Sequence, residues 1–123
     1  MQAEHDLKWS LEQNNDRIVL RLIGELSRNT LLPLWNAYNT RQKEGQRDSF
    51  LSAEQIADKD IYCDLAQISR IDSAGFALLC DLVAHCRRLQ RQNSILLLED
   101  APPQLLTLAD LFGLSDWLKP FLK

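Results

Sequence analysis

The feature that most constrains this chain is an apolar stripe at helical spacing that runs from Gly75 to Leu89. Two short runs of large apolar residues, 61–65 and 95–98, lie on either side of it. A strand, a long helix and a strand in this order predict a parallel βαβ crossover, because parallel strands need a long connection. Neither run alternates with polar residues, which predicts strands covered on both faces. The stripe consists of Gly75, Leu78, Leu79, Leu82, Val83, Cys86 and Leu89.

The amino-terminal part of the chain has the pattern of an antiparallel hairpin. Apolar and polar residues alternate over 7–12, as in a strand with one wet face. Turn-forming residues follow at 13–16, and 17–23 is a second run rich in β-branched residues and leucine. We expect the second strand to stop at Gly24.

A helix is indicated after the hairpin. Thr30 is expected to cap it, and its first turn tolerates Pro33. Apolar residues then recur at helical spacing and are assigned to the core. This apolar face consists of Leu31, Leu34, Trp35 and Tyr38.

The remaining segments are a connection and two short helical stretches. The chain is polar over 43–58, which predicts a long connection with one helical turn starting at Ser52. Two prolines open another helix over 103–112, and Gly113 suits its C-cap. The tail from 115 to 122 is amphipathic and is expected to pack against the rest.

Together these elements predict an α/β fold with a four-stranded mixed sheet, hairpin first and crossover second, and helices packed mainly on one side. A length of 123 residues leaves room for one domain, 1–123. The composition of 46% apolar and 25% charged residues is that of an ordinary globular protein.

Charge and cysteine usage narrow the class of protein. A net charge of −3 and a pI near 5.3 oppose nucleic-acid binding. Apolar runs of about 18 to 20 residues and signal-peptide features are absent from the sequence, so we expect a cytoplasmic protein without direct membrane insertion. Cys63, Cys80 and Cys86 are odd in number and lie in apolar stretches, which predicts reduced core residues.

Signatures of enzymes are mostly missing from the sequence. The four glycines stand too far apart for a loop that cradles phosphate. With only His5 and His85, neither a histidine metal site nor a Ser-His-Asp arrangement is easily assembled. We therefore expect no catalytic residue, no cofactor and no metal.

The segment 69–76 is the most informative for function. It joins the 61–65 strand to the long helix and puts Asp72 and Ser73 at or next to the helix N-cap. A phosphate on Ser73 would be tolerated there, because the helix dipole is positive at that end. Alternatively, Asp72 or Ser73 merely caps the helix, which is worth about 1 kcal/mol.

The side of the long helix opposite the stripe carries small residues where Lys and Glu are usual. Such a flat surface allows another protein's helix to approach closely, and Phe76 at its edge would serve as an anchor. An ordinary Ala-rich helix with incidental small residues is the other interpretation. The residues of this side are Ser73, Ala77, Cys80, Asp81, Ala84 and Arg88.

These motifs, in this order, resemble the STAS domain, the fold of anti-sigma-factor antagonists and of sulfate-transporter tails. The resemblance covers nearly the whole chain, and the family's Asp-Ser-x-Gly motif maps onto Asp72, Ser73 and Gly75. Ser73 thus matches the position that the antagonists phosphorylate. The segments that carry the resemblance are Gly24-Glu25-Leu26, Cys63-Asp64-Leu65 and Ile71-Asp72-Ser73-Ala74-Gly75.

Within the family, the segments 24–26, 31–35 and 106–109 are most similar to the small cytoplasmic subunit of an ABC transporter. That transporter moves phospholipids between the inner and outer membranes of Gram-negative bacteria. The resemblance implies a non-catalytic subunit at the inner face of the inner membrane. It would bind and support the ATPase subunit, in a complex with a permease and a substrate-binding protein.

By position, the resemblance implies a partner contact at the start of the long helix and in a nearby loop. We expect Phe76→Ala to weaken ATPase binding while leaving the fold intact. The 43–58 connection is longer than the family's usual link, which indicates an added contact or a disordered flap. The implied contact residues are Asp72, Ser73, Ala74, Phe76, Ala77 and Cys80, with Glu25, Leu26 and Ser27 in the loop.

Two alternatives stay open at this point. The first is an anti-sigma-factor antagonist regulated by phosphorylation of Ser73. The second is an enzyme or small-molecule sensor that uses the amino end of the long helix as an anion site.

Overall fold

The computed structural model describes residues 6–39 and 50–123. A four-stranded sheet has the order β1-β2-β3-β4, in which β1 and β2 are antiparallel and the other two pairs are parallel. The predicted hairpin, crossover and mixed sheet are therefore confirmed. The strands are β1 Leu7–Gln13, β2 Arg17–Leu26, β3 Asp60–Ile71 and β4 Leu96–Glu99.

The helices agree closely with the sequence prediction. The short helix α2 begins after the N-cap Ser52, whose hydroxyl accepts from the amide of Gln55 at 3.2 Å. Residues 43–49 of the predicted connection lie outside the described part of the chain. The helices are α1 Leu32–Asn39, α2 Ala53–Ile56, α3 Ser73–Leu89, α4 Pro103–Leu111 and α5 Ser115–Leu118, followed by a 3₁₀ turn, Lys119–Phe121.

The core lies between one face of the sheet and helix α3. Alternate residues of β2 and β3 are buried there, and the stripe of α3 packs against them. The tail closes this layer, because Leu118 is buried and Leu122 bridges to Leu98 in β4. In the part of the chain that the structure describes, helices long and apolar enough to cross a membrane are absent.

The prediction that β3 and β4 are covered on both faces is wrong. Leu97 is only half-buried while Leu96 and Leu98 are buried, so burial in β4 alternates. On the outer face, the Arg17 guanidinium lies 5.4 Å from the centre of the Tyr62 ring. This face is therefore covered by long polar side chains and not by a second layer of helices.

Strand β2 does not stop at Gly24 but continues to Leu26, and β3 is much longer than the predicted 61–65. Gly24 has a φ of 103°, and the register with β3 shifts beside it. A Cβ at this position would lie 2.2 Å from the Asp6 carbonyl oxygen, so glycine is required by both space and φ. The glycine bends the strand instead of ending it.

Helix α1 also differs from the prediction in two details. It begins at Leu32, and the Thr30 hydroxyl donates to the Glu25 carbonyl at 2.7 Å and accepts from the Ser27 amide at 3.0 Å. Thr30 thus holds the preceding turn and is not the helix cap. Trp35 was assigned to the core, yet it is 41% exposed, because Leu34 and Tyr38 occupy the buried side of this short helix.

Candidate functional site

Asp72 ties the amino end of α3 to the turn that follows β2. Its Oδ1 accepts a hydrogen bond from the Gly75 amide at 2.8 Å, and its Oδ2 accepts one from the Arg28 amide at 3.2 Å. Asp72 is therefore the N-cap, and the exposed Ser73 is the first residue of the helix. The Asp72 carboxylate already accepts hydrogen bonds from these amides. The alternative of an anion site at this position is therefore disfavoured.

The segment Glu25–Ser27 lies directly beneath this helix start. All three residues are buried, and the Ser27 hydroxyl donates to Glu25 Oε2 at 2.6 Å. The main chain of Leu26 contacts Gly75 so closely that a Cβ there would lie 2.0 Å from its carbonyl oxygen. The prediction of a loop is thus wrong for Glu25 and Leu26, which end strand β2, whereas Ser27 follows the strand; all three lie below the helix start.

Phe76 is not the exposed anchor that the sequence predicted. It is 2% exposed, and its ring stacks on Phe112 with centroids 5.8 Å apart. Phe76 stands three residues before Leu79 and seven before Val83, so it extends the buried stripe of α3. That spacing was the signal that could have placed it in the core.

The exposed small residues of α3 form the floor of an open groove, which we call the α3 groove. Helix α1 forms one wall, and the end of α4 with α5 forms the other. It consists of three adjoining hollows, the largest of about 420 Å³. The floor is Ser73, Ala77, Cys80, Asp81 and Ala84, and the walls are Leu31 and Trp35 on one side and Phe112, Leu114 and Trp117 on the other.

Large apolar side chains are exposed along the walls of the α3 groove. Trp35, Phe112 and Trp117 are 41%, 54% and 39% exposed. Aromatic residues on an exposed apolar patch are typical of interaction sites. The sequence analysis missed all three as surface residues, since each stands in a segment whose pattern predicts packing.

Two ionisable side chains of the groove region have shifted pKa values. The Tyr38 hydroxyl donates to Asp81 Oδ2 at 2.7 Å, and burial together with this bond raises the pKa of Tyr38. Partial burial raises the pKa of the Cys80 thiol to about 11. Cys80 is therefore protonated at neutral pH and is a poor nucleophile.

The predicted contact residues thus fall into two sets. Asp72, Ser73, Ala74, Ala77 and Cys80 are at least partly exposed, whereas Phe76 and Glu25–Ser27 lie below the surface. Clusters of three or more metal-ligating side chains are absent from residues 6–39 and 50–123. The surface above α3 is thus concave and largely apolar.

The sequence comparisons agree on one protein family. The family model described as "Mlab, STAS domain" matches residues 9–122. The intermembrane phospholipid transport system binding protein MlaB of Haemophilus influenzae is 48% identical over 94% of this chain and 99% of its own length. MlaB of Escherichia coli is 32% identical over 77% of this chain and 79% of its own length.

Solved structures of the anti-sigma factor antagonist SpoIIAA have a similar fold. The unphosphorylated form gives a TM-score of 0.59 at 18% identity, covering 94% of this chain and 86% of that one. The phosphorylated form of this Bacillus cell fate determinant gives 0.61 at 19% identity, covering 94% and 89%. At such identities the likeness shows the fold alone.

Proposed function

Because this chain belongs to the STAS domain family whose model is described as Mlab, we propose that it is a binding subunit of an intermembrane phospholipid transport system. In this proposal the whole chain, 1–123, acts as a single STAS domain on the cytoplasmic side of the inner membrane. It catalyses nothing itself. It binds and supports the ATPase subunit, within a complex that also contains a permease and a substrate-binding protein.

The observation that carries this proposal is the α3 groove. Its floor is flat because Ala77 and Ala84 have no side chain beyond Cβ, so a partner helix can approach the backbone of α3 closely. Its walls expose three aromatic rings, the residue type that dominates binding energy at interfaces. A partner that covers these rings removes apolar surface from water and gains affinity from that burial.

The test is a large charged side chain placed in the floor. We expect Ala77→Arg to weaken binding to the purified ATPase subunit by roughly tenfold or more, because the side chain blocks close approach and buries a charge. The matched control is Ala53→Arg, since Ala53 is an exposed helical alanine outside the groove. Titration calorimetry measures both affinities, and circular dichroism checks that both variants fold. Equal binding of Ala77→Arg and the unaltered chain would contradict the proposal.

A second candidate is an anti-sigma-factor antagonist, and the exposure of Ser73 favours it. The hydroxyl lies beside the N-cap Asp72 at the solvent-exposed start of α3, where a kinase could reach it. If this function is correct, incubation with a kinase-like anti-sigma factor and ATP adds one phosphate to Ser73. The Ser73→Asp variant then no longer binds that anti-sigma factor. Intact-mass measurement decides, with Ser73→Ala as the control that cannot be modified.

A further inference from the structure

One carboxylate lies in the floor of the otherwise uncharged α3 groove. Asp81 lines two of the three adjoining hollows, one shared with Trp35 and one with Trp117. Of the described residues that line the groove, it alone has a carboxylate, and none has a basic side chain. A partner that fills the groove therefore covers this carboxylate.

Among the residues that the structure describes, one side chain donates a hydrogen bond to this carboxylate. The Tyr38 hydroxyl donates to Oδ2 at 2.7 Å. Asp81 takes part in no ion pair with the lysine and arginine side chains of residues 6–39 and 50–123. On α3 itself, Ala77 and Ala84 stand four residues before and three after Asp81 on the same side of the helix, so neither side chain reaches over the carboxylate, and Asp81 is exposed.

Covering an ionised carboxylate with apolar surface is strongly unfavourable unless an opposite charge and hydrogen bonds replace the lost water. The apolar walls favour a partner that fills the groove, whereas Asp81 penalises one that brings no cation. We propose that the segment of the ATPase subunit that occupies the α3 groove is apolar and carries one lysine or arginine, which pairs with Asp81. This inference rests on the proposed function and adds the residue that selects the partner.

Asp81 acts in this proposal as a specificity determinant. An apolar segment without a basic residue is rejected because it leaves the carboxylate buried and unpaired. Tyr38 positions the carboxylate before the partner arrives, so less freedom is lost when the ion pair forms. A charge-assisted hydrogen bond of this kind also fixes the register of the partner segment along the groove.

The first experiment removes the charge and keeps the shape. We expect Asp81→Asn to raise the dissociation constant for the ATPase subunit by roughly tenfold or more, mainly through faster dissociation. The matched control is Asp16→Asn in the hairpin turn, which removes a carboxylate that does not line the groove and should change affinity less than about twofold. Surface plasmon resonance at low and high salt measures the rates, and the salt dependence should be smaller in Asp81→Asn.

The second experiment separates the charge from the hydrogen bond that holds it. Tyr38→Phe keeps the carboxylate and removes the hydrogen bond that positions it, so affinity should fall by no more than about threefold, less than in Asp81→Asn. Asp81→Lys should weaken binding further than Asp81→Asn. Replacing the lysines and arginines of the ATPase subunit by glutamate, one at a time, should then identify one variant that restores binding to Asp81→Lys.

The outcomes distinguish this inference from the proposed function. If Ala77→Arg abolishes binding while Asp81→Asn binds normally, the groove is the docking site but the ion pair is wrong. If Tyr38→Phe, which keeps the charge, weakens binding as much as Asp81→Asn, the hydrogen bond rather than the charge is responsible, and the ion pair is again wrong. If neither Ala77→Arg nor Asp81→Asn changes affinity, both proposals fail.

Discussion

Gly75 lies where helix α3 crosses the end of strand β2. In an ordinary helix, replacing glycine by alanine stabilises by about 1 kcal/mol. Here the new Cβ would lie 2.0 Å from the Leu26 carbonyl oxygen and 2.6 Å from its carbonyl carbon, so backbone must move. We expect Gly75→Ala to lower the free energy of unfolding by about 2 to 3 kcal/mol, because overpacking outweighs the gain in helix propensity. Urea denaturation measures this loss.

The matched substitution is Gly113→Ala. Gly113 has a φ of 70°, yet a Cβ there meets nothing within 4 Å. Only the conformational cost remains, about 1 kcal/mol. An equal loss in both variants would show that the contact between α3 and Leu26 is looser than the structure indicates.

Asp64 makes stability depend on pH. Hydrogen bonds from the Ala66 amide at 3.0 Å and from Arg21 Nε at 2.9 Å lower the pKa of Asp64. Its contribution is therefore present above the unfolded-state pKa of about 3.9 and is lost as the pH falls through the lower folded-state pKa. We expect the difference in thermal midpoint between the unaltered chain and Asp64→Asn to be constant near neutral pH and to shrink below about pH 4.

Arg21→Gln is the control for this pH effect. It removes the charge of Arg21 and its charge-assisted hydrogen bond and keeps the amide of Ala66, which is the largest cause of the lowered pKa, so it should reproduce part of the change seen in Asp64→Asn. A difference in midpoint that stays constant down to about pH 2.5 would contradict the role assigned to Asp64.

The contact between α3 and α4 depends on two stacked rings with different burial. Phe76 is 2% exposed and Phe112 is 54% exposed. We expect Phe76→Ala to lower the free energy of unfolding by about 3 to 5 kcal/mol, because it leaves a cavity in the core. Phe112→Ala should cost only about 1 kcal/mol of stability and should weaken partner binding, because its ring forms a wall of the α3 groove.

The loss of stability expected for Phe76→Ala replaces the expectation drawn from the sequence, in which this variant leaves the fold intact. Urea denaturation and calorimetric titration with the ATPase subunit test both variants. A stable Phe76→Ala with impaired binding would restore the original assignment of Phe76 as a surface anchor.

The elements that could be predicted are those with a long local pattern. The stripe of α3 covers most of its seventeen residues, and its burial follows the spacing of the apolar residues. The ends of the elements were harder to predict. Glycine often ends a strand, but Gly24 occupies a bulge. Only the pairing of Glu25 and Leu26 with β3 shows that β2 continues past it, since the pairing with β1 ends at Gly24.

Across the whole molecule, stability should be highest at the centre of the sheet. Strand β2 and the first half of β3 lie between two neighbours and contribute most of the buried residues of the sheet, whereas β1 is an edge strand with partly exposed residues. We expect amide hydrogen exchange to be slowest in β2 and β3 and faster in β1 and α5. Mass spectrometry of peptic fragments measures it.

The same hydrogen-exchange measurement is made with the ATPase subunit bound, and the two states are compared. It should slow exchange in α1, α4 and α5, which form the walls of the α3 groove, and leave the hairpin turn at 13–16 unchanged. Protection of the hairpin turn with none at the walls would place the partner on a different surface.

The sequence by itself determined the order of strands and helices, the single buried face of α3 and a cap at either Asp72 or Ser73. Each of these follows from residue types within a few positions of one another, which is the range over which periodicity and capping act. The tertiary structure alone decided that Trp35, Phe112 and Trp117 remain exposed. These residues come from segments far apart in the chain, and the α3 groove exists only because their helices pack on both sides of α3.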